Sequence, residues 1–197
     1  MRKRFITVII SFGIILSLLN LTGCGTRTMI SGDYPYYPDV ESIIQNSDII
    51  ILGDVVKTNK AEKININLDK EKAKLNREQD LLTYTVSEVK VKEVIKGNIK
   101  KDDIVKVKQR GDENGIADEE IIKNGGYFKE KGEHVFFLQS YEDIIHGMPY
   151  SLLNPIQGRI DFKDDKAKIY KDNKLFKDGA EKNNIIKEIK DKVDKAN

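Results

Sequence analysis

The sequence predicts a mainly β protein, built as one small closed β-barrel with a short helix before it and an amphipathic helix at its end. Three observations predict this fold class. Short β-branched runs recur along the chain, one long strand candidate changes the phase of its apolar alternation, and apolar residues near the C-terminus recur at helical spacing. We see one core and no internal repeat, and therefore place a single domain at residues 40–197.

The first elements are a short helix and a buried strand. Asp39 is suited to cap the helix, because apolar residues follow it at helical spacing: Val40, Ile43 and Ile44. We expect this helix to end near Asn46. The run 49–56 is almost continuously β-branched, which is typical of a buried strand, and Gly53 inside it predicts a bulge or tight bend.

The longest strand candidate is 81–95, after a polar and highly charged connection at 57–80. Leu82, Tyr84 and Val86 alternate on one face, and the apolar pattern then resumes on the opposite parity at Val89 and Val91. A pattern of period two that changes phase implies one extra residue. We therefore expect a bulge near Ser87–Glu88, with Tyr84 and Val86 directed into the core.

The remaining strands follow from alternation and from turn residues. In the strand 104–109, Val105 and Val107 are predicted to point inward, and Lys106 and Lys108 outward. We also predict a buried strand at 133–139, a short one at 150–153, and a hairpin of 158–162 with 166–170 about Asp164–Asp165. A terminal helix at about 180–192 carries an apolar stripe and is expected to cover one end of the barrel, through Ile185, Ile186, Ile189 and Val193.

A glycine-rich and acidic segment at 110–131 is interpreted as a long exposed loop. Loops on a rigid barrel commonly carry recognition, so this segment is the predicted interaction loop. Its candidate contact residues are Arg110, Asp112, Glu113, Asp118, Glu119 and Glu120. A calcium site remains an alternative, although the order of residues is not that of a helix–loop–helix calcium loop. We expect shortening of the loop to leave the melting temperature nearly unchanged.

The N-terminus has the three parts of an export signal. Arg2, Lys3 and Arg4 form a cationic start, and 5–21 is an uncharged apolar stretch. Leu21-Thr22-Gly23-Cys24 then resembles the lipobox of bacterial lipoprotein signal peptides. The resemblance implies that a signal peptidase recognises Leu21, Thr22 and Gly23, and that Cys24 is lipidated and becomes the first residue after cleavage. An uncleaved anchor is the alternative, but the apolar stretch is only marginally long enough to span a bilayer.

This resemblance divides the chain into a signal peptide (1–23), a lipidated tether (24–39) and the barrel domain. The prolines and tyrosines of 25–39 are expected to form a spacer, with the tyrosine rings packed on the barrel or at lipid headgroups. The predicted location is the extracytoplasmic face of the cell membrane. Cys24 is the only cysteine, so no internal disulfide can form.

Three hydrophobic segments resemble a known domain: Ser47–Val55, Val91–Gly97 and Lys131–Leu138. In this order they resemble small bacterial lipoproteins of unassigned function and, more distantly, the netrin-like domain of tissue inhibitors of metalloproteases. The resemblance spans about residues 40–170 and implies an OB-type barrel with a packed helix. It does not carry inhibition, because that activity needs a free N-terminal cysteine amine and Cys24 is predicted to be lipidated.

Composition argues against several functions. Three of the 34 cations precede the cleavage point, so 31 basic and 32 acidic side chains remain, and nothing in this balance favours nucleic acid. Only His134 and His146 are available for a zinc or hydrolase site, since Cys24 is predicted to be lipidated, and they are too few to predict a metal, another cofactor or an enzyme. We expect a monomeric binding module whose partner is an envelope protein. The alternatives are a cell-wall glycan or small envelope ligand and, less favoured, an unrecognised hydrolase.

Overall fold

The computed structural model describes residues 27–196, and their fold is mainly β with a closed barrel of five strands. This confirms the predicted fold class. The strands are β1 (Thr28–Ile30), β2 (Ile49–Thr58), β3 (Glu62–Asn65), β4 (Leu81–Lys96), β5 (Ile104–Arg110), β6 (Ile116–Asp118), β7 (Glu133–Gln139), β8 (Tyr150–Leu152), β9 (Arg159–Lys163) and β10 (Lys166–Lys168). The α-helices are α1 (Val40–Asn46), α2 (Lys70–Lys74), α3 (Glu119–Lys123) and α4 (Lys182–Ala196), with a 3₁₀ turn at Glu78–Asp80.

The barrel closes in the order β2–β4–β5–β8–β7 and back to β2. Neighbouring strands are antiparallel except for β5 and β8, which are parallel. When the five barrel strands are numbered in chain order, they lie side by side in the order 1–2–3–5–4. This is the Greek-key connectivity of an OB-type barrel. Outside the barrel, β3 lengthens the sheet beside β4, and the β9–β10 hairpin pairs with β7.

Strands β2 and β7 are buried on both faces, which explains their continuous apolar sequences. Ile49, Ile51 and Val55 of β2 lie in the barrel interior with Phe136 and Leu138 of β7. The alternate residues form a second cluster on the outer face of the barrel, with α1 and α4 packed on it: Ile50, Leu52, Val135 and Phe137. The four predicted stripe residues of α4 are all buried in this second cluster. Helix α4 therefore covers the side of the barrel instead of one end.

The helix cap, the hairpin turn and the irregularity at Gly53 were predicted correctly from local sequence. The Asp39 side chain accepts a hydrogen bond from the Ser42 amide at 2.7 Å, and Ser42 Oγ accepts one from the Asp39 amide, which completes a capping box at the start of α1. Asp164 and Asp165 both have positive φ, as a tight two-residue hairpin turn requires. The predicted irregularity at Gly53 is present as a register shift between Leu52 and Gly53.

The predicted bulge near Ser87–Glu88 was wrong in its position. The register of β4 with β5 is continuous from Tyr84 to Lys90. Opposite Glu88 the extra residue is on the other partner strand, between Val55 and Lys57 of β2, and β4 has its own extra residues further along, between Val91 and Glu93 and between Val94 and Lys96. Because Val89 and Val91 are inside the barrel, residues of the opposite parity on β4 face outward.

Tyr84 and Val86 are therefore on the outer face of the barrel, which corrects their predicted inward direction. Val86 is nevertheless buried, and Tyr84 is half-buried. Alternation shows that a strand has two faces, but it does not show which face is inside when both are covered. This outer face of β4 and β5 is the surface that OB-type barrels commonly use for binding.

The segment 110–131 is not an exposed loop, contrary to the prediction. Phe128 is buried in the barrel core, and its amide donates to Gln109 Oε1 at 2.7 Å. Arg159 holds the turn before it by donating to the carbonyl oxygens of Asn124 and Gly126, each at 2.9 Å. Ala117, Ile121 and Tyr127 form a small core of their own. The segment is thus an integral part of the fold.

Residues 28–39 are more closely attached to the barrel than a spacer requires, and Tyr37 is packed on the barrel, as one of the two expectations for the tyrosines has it. Strand β1 pairs in parallel with β6, and the chain then runs along the barrel to α1. Tyr37 is buried, and its backbone amide and carbonyl both hydrogen-bond the Gln157 side chain, at 2.9 and 2.8 Å. We call residues 31–38 the N-terminal strap. Within residues 27–196, no helix is both long enough and apolar enough to cross a membrane.

Candidate functional site

A cleft lies on the outer face of β4 and β5, beneath the N-terminal strap and the connection from β7 to β8. It consists of two adjoining cavities, of about 280 and 120 Å³. The two cavities share four lining residues: Tyr84, Lys108, Tyr141 and Ser151. We call this the Lys108 cleft, because that lysine lies at the junction of both cavities.

Lys108 is the most unusual group in the cleft. It points outward from β5, as predicted, yet the residue is only 5% exposed. Its ammonium group lies 4.5 Å from the centre of the Tyr141 ring and 5.5 Å from that of Tyr84. Within the described part of the chain it forms no ion pair, and burial alone lowers its pKa to about 8. The folded protein therefore carries a desolvated amine with only ring faces as partners.

The N-terminal strap supplies one wall of the larger cavity. Tyr34, Pro35 and Tyr37 line it, together with the residues of the barrel face. The strap is held by Asn154, which is buried and donates to the Pro35 carbonyl at 2.7 Å, and by Gln157. The wall therefore depends on contacts between residues more than a hundred positions apart in sequence.

Arg110 and Asp118 lie at the inner end of the cleft. Arg110 is one of the lining residues, and its Nε is buried without a hydrogen-bond partner among the described residues. Asp118 is completely buried and accepts a hydrogen bond from the Tyr34 hydroxyl at 2.5 Å, as well as from two amides at the start of α3. Burial, followed by this bond to Asp118, raises the pKa of Tyr34 far above its ordinary value.

Comparisons of the chain with protein-family models, with curated proteins and with solved structures found no match. The chemistry of the cleft is therefore inferred from the residues of this chain alone.

The six residues predicted as one interaction loop are divided among three places. Arg110 lines the cleft and Asp118 is buried behind it. Glu119 and Glu120 are in the first turn of α3 and both form ion pairs with Lys123, at 2.7 and 3.5 Å. Asp112 and Glu113 line a separate cavity. The predicted lipidation residue Cys24 and the peptidase recognition residues Leu21, Thr22 and Gly23 lie outside the described residues.

A wider cavity, of about 780 Å³, lies beside Thr58 and Phe128 and is lined by residues of both charges. Lys129, which lines it, is already paired with Glu113 across the cavity. The lining of this cavity is strongly polar and, unlike that of the Lys108 cleft, mixes charges of both signs.

His134 forms a buried cluster away from the cleft. Its Nδ1 is 2.8 Å from Asp161 Oδ1, and Asp161 also accepts a hydrogen bond from the Tyr170 hydroxyl at 2.7 Å. Burial raises the pKa of Asp161, but the contacts with His134, Arg159 and Tyr170 outweigh it and leave the pKa below its ordinary value. The His134 Nε2 is buried without a hydrogen-bond partner among residues 27–196, so no hydroxyl is positioned there as a nucleophile.

Metal-ligating side chains are dispersed in the described structure. No group of three or more histidine, cysteine or carboxylate side chains within residues 27–196 converges on one point. Sequence reasoning placed Lys108 on the correct face of β5 but missed the cleft, because its burial depends on Tyr141 and on the strap. The only sign in the sequence that Lys108 is covered was its predicted place beside the largely apolar strand β4.

Replacing Lys108 with methionine is expected to stabilise the folded protein, because methionine fills a similar volume without a charge to desolvate. Lysine in water has a pKa of about 10.4, so the unfolded chain binds an extra proton between about pH 8 and pH 10. Below that window, burial of the charged Lys108 side chain lowers the free energy of unfolding by its full amount. Within the window, this cost falls as the pH rises. After the loss of the ring contacts, we expect a net gain of about 1–2 kcal/mol at neutral pH.

Urea denaturation at several pH values measures this gain, which should shrink as the pH rises through the window. Lys106→Met is the matched control, because Lys106 is on the same face of β5 but exposed; we expect it to change stability by less than about 0.5 kcal/mol. A Lys108→Met variant less stable than wild type at neutral pH would contradict the prediction.

Proposed function

We propose that the protein is an envelope lipoprotein, attached through Cys24 to the outer face of the cytoplasmic membrane, that binds a ligand in the Lys108 cleft without converting it. The observation that carries the proposal is the composition of the cleft. Four tyrosines, amide and hydroxyl groups surround a buried amine that forms no ion pair within residues 27–196. A concave site with aromatic walls and a few polar groups is typical of ligand binding.

The anchor and the cleft are close together along the chain. Four residues span at most about 14 Å, so lipid on Cys24 would hold Thr28 and the β1–β6 pair near the membrane surface. The strap that follows directly forms a wall of the cleft. The proposed binding site is therefore connected to the membrane by a short segment.

A glycan or small envelope ligand is favoured over a protein partner. The expectation of a protein partner relied in part on an exposed loop at 110–131, but that segment contributes Phe128 to the barrel core and forms a small core of its own. The structure brings Tyr84 together with Tyr34, Tyr37 and Tyr141 in one cleft, and tyrosine combines an apolar ring with a hydrogen-bonding hydroxyl.

Co-sedimentation with purified, protein-free cell walls tests the proposal. The mature lipoprotein in a non-ionic detergent is expected to sediment with the walls, and Tyr141→Ala is expected to reduce the bound fraction roughly tenfold, since a ring stacked on the ligand contributes about 1–3 kcal/mol. Tyr141 is in the connection between β7 and β8, so its loss leaves the barrel strands intact.

Tyr36→Ala is the matched control, because Tyr36 is an exposed strap tyrosine outside the cleft lining. It should bind as wild type does. Failure of the wild-type protein to sediment, or equal binding by wild type and Tyr141→Ala, would refute a wall ligand in this cleft.

A further inference from the structure

Among residues 27–196, the charged side chains that line the Lys108 cleft all have the same sign. Lys108 and Arg110 line the cleft, and no aspartate or glutamate of residues 27–196 is among the lining residues of either cavity. The neighbouring titratable groups are tyrosines: Tyr84 on β4, Tyr141 after β7 and Tyr34 on the strap. Nothing within the described chain neutralises Lys108.

The two cations are placed to act together. They are two residues apart on β5, so their side chains leave the same face of the sheet roughly 7 Å apart. Asp118 is the nearest buried carboxylate at this end, but its oxygens are already used by the Tyr34 hydroxyl and the amides of α3. Arg110 lines the larger cavity together with Lys108, and neither side chain forms an ion pair within residues 27–196, so both charges are available to an anion in the cleft.

The rest of the cleft is suited to an uncharged body. Ile66, Leu68 and Met148 line the smaller cavity, beside the rings of Tyr84 and Tyr141. Aromatic and aliphatic surface of this kind favours a flat or apolar group over a second charge.

We propose that the Lys108 cleft binds a small organic anion whose carboxylate or phosphate group pairs with Lys108 and Arg110 while its ring or apolar body lies among the tyrosines. The proposal rests on the proposed function and names its ligand class. Folding has already desolvated Lys108, so an entering anion gains a charge-assisted hydrogen bond in a site of low dielectric. Ligand binding thus supplies the partner that the folded chain lacks.

Calorimetric titration of the mature lipoprotein in a non-ionic detergent tests the ligand class. The probes are benzoate, phenyl phosphate, inorganic phosphate and benzyl alcohol, a neutral molecule of similar size. Benzoate or phenyl phosphate should bind at least about tenfold more tightly than benzyl alcohol, because only the anions can pair with Lys108. Comparison of the two anions shows which acidic group is preferred, and inorganic phosphate should bind more weakly than phenyl phosphate.

Lys108→Met should weaken anion binding roughly tenfold to a hundredfold and affect benzyl alcohol binding much less. Lys106→Met should bind the anions within about twofold of wild type, as expected for an exposed lysine on the same strand. Comparison of the two lysine variants distinguishes a specific contact between Lys108 and the anion from a general effect of positive charge.

The proposal is overturned if neither aromatic anion binds, if benzyl alcohol binds as tightly as they do, or if the two lysine variants lose equal affinity. Equal binding of inorganic phosphate and phenyl phosphate would contradict the claim that the ligand carries a ring or apolar group. Wall binding that is lost in Tyr141→Ala but retained in Lys108→Met would leave the proposed function in place and refute the anionic ligand.

Discussion

Replacing residues 112–128 with a short glycine–serine linker is expected to unfold the domain. The replacement removes Phe128 from the barrel core, and loss of a buried phenylalanine alone costs about 3–5 kcal/mol. It also removes the carbonyl oxygens of Asn124 and Gly126, which leaves the buried Arg159 guanidinium without these acceptors. Together these losses approach or exceed the total stability of a domain, about 5–15 kcal/mol.

The connection between β2 and β4 provides the matched control. None of residues 69–78 is buried, and their ends are close in space because the Ile66 amide donates to the Asp80 carbonyl at 2.9 Å. A short turn in their place should leave the melting temperature within a few degrees of wild type. Circular dichroism and thermal melting of both variants measure the difference; similar melting of the 112–128 variant and wild type would show that this segment is not part of the core.

Replacing Cys24 with serine is expected to abolish lipid attachment completely. A serine hydroxyl does not replace the thiol that receives the diacylglyceryl group in the lipoproteins that this signal resembles. Metabolic labelling with palmitate should mark the wild-type protein and not the variant, and only wild type should yield a mature-length form that partitions into detergent. Two acyl chains are enough for stable membrane attachment, so the expected difference is nearly all-or-none.

Thr22→Ser is the control for this experiment, since it keeps a small residue before the cleavage point. It should be labelled and processed as wild type is. If mature-length forms of wild type and Cys24→Ser partition equally into detergent, the anchor is not on this cysteine.

Local sequence signals predicted most of the barrel and both flanking helices. The apolar runs of β2 and β7 were recognisable because each strand is buried on two faces, and Asp39 was recognisable as a helix cap because its side chain acts within three residues. The turn at Asp164–Asp165 is equally local. Such signals depend on residues that are adjacent or one helical turn apart, so the sequence alone displays them.

The functional cleft was much less predictable. Lys108 was placed on the outer face of β5, but as a solvated charge, and Tyr84 was placed in the core. Both errors have one cause: the outer face of β4 and β5 is covered by segments distant in sequence. Tyr34 contacts Asp118, and Gln157 holds Tyr37, across 84 and 120 residues.

The sequence by itself predicts an export signal and lipid attachment at Cys24, and it determined the order of the barrel strands along the chain and the apolar stripe of α4. Only the tertiary structure decided that 110–131 belongs to the core, that the strap lies on the barrel, and that Lys108 is buried. The physical reason is that alternation and helical spacing report the faces of one element at a time. Burial of a polar group depends on which other elements cover its face, and contacts between distant segments determine that.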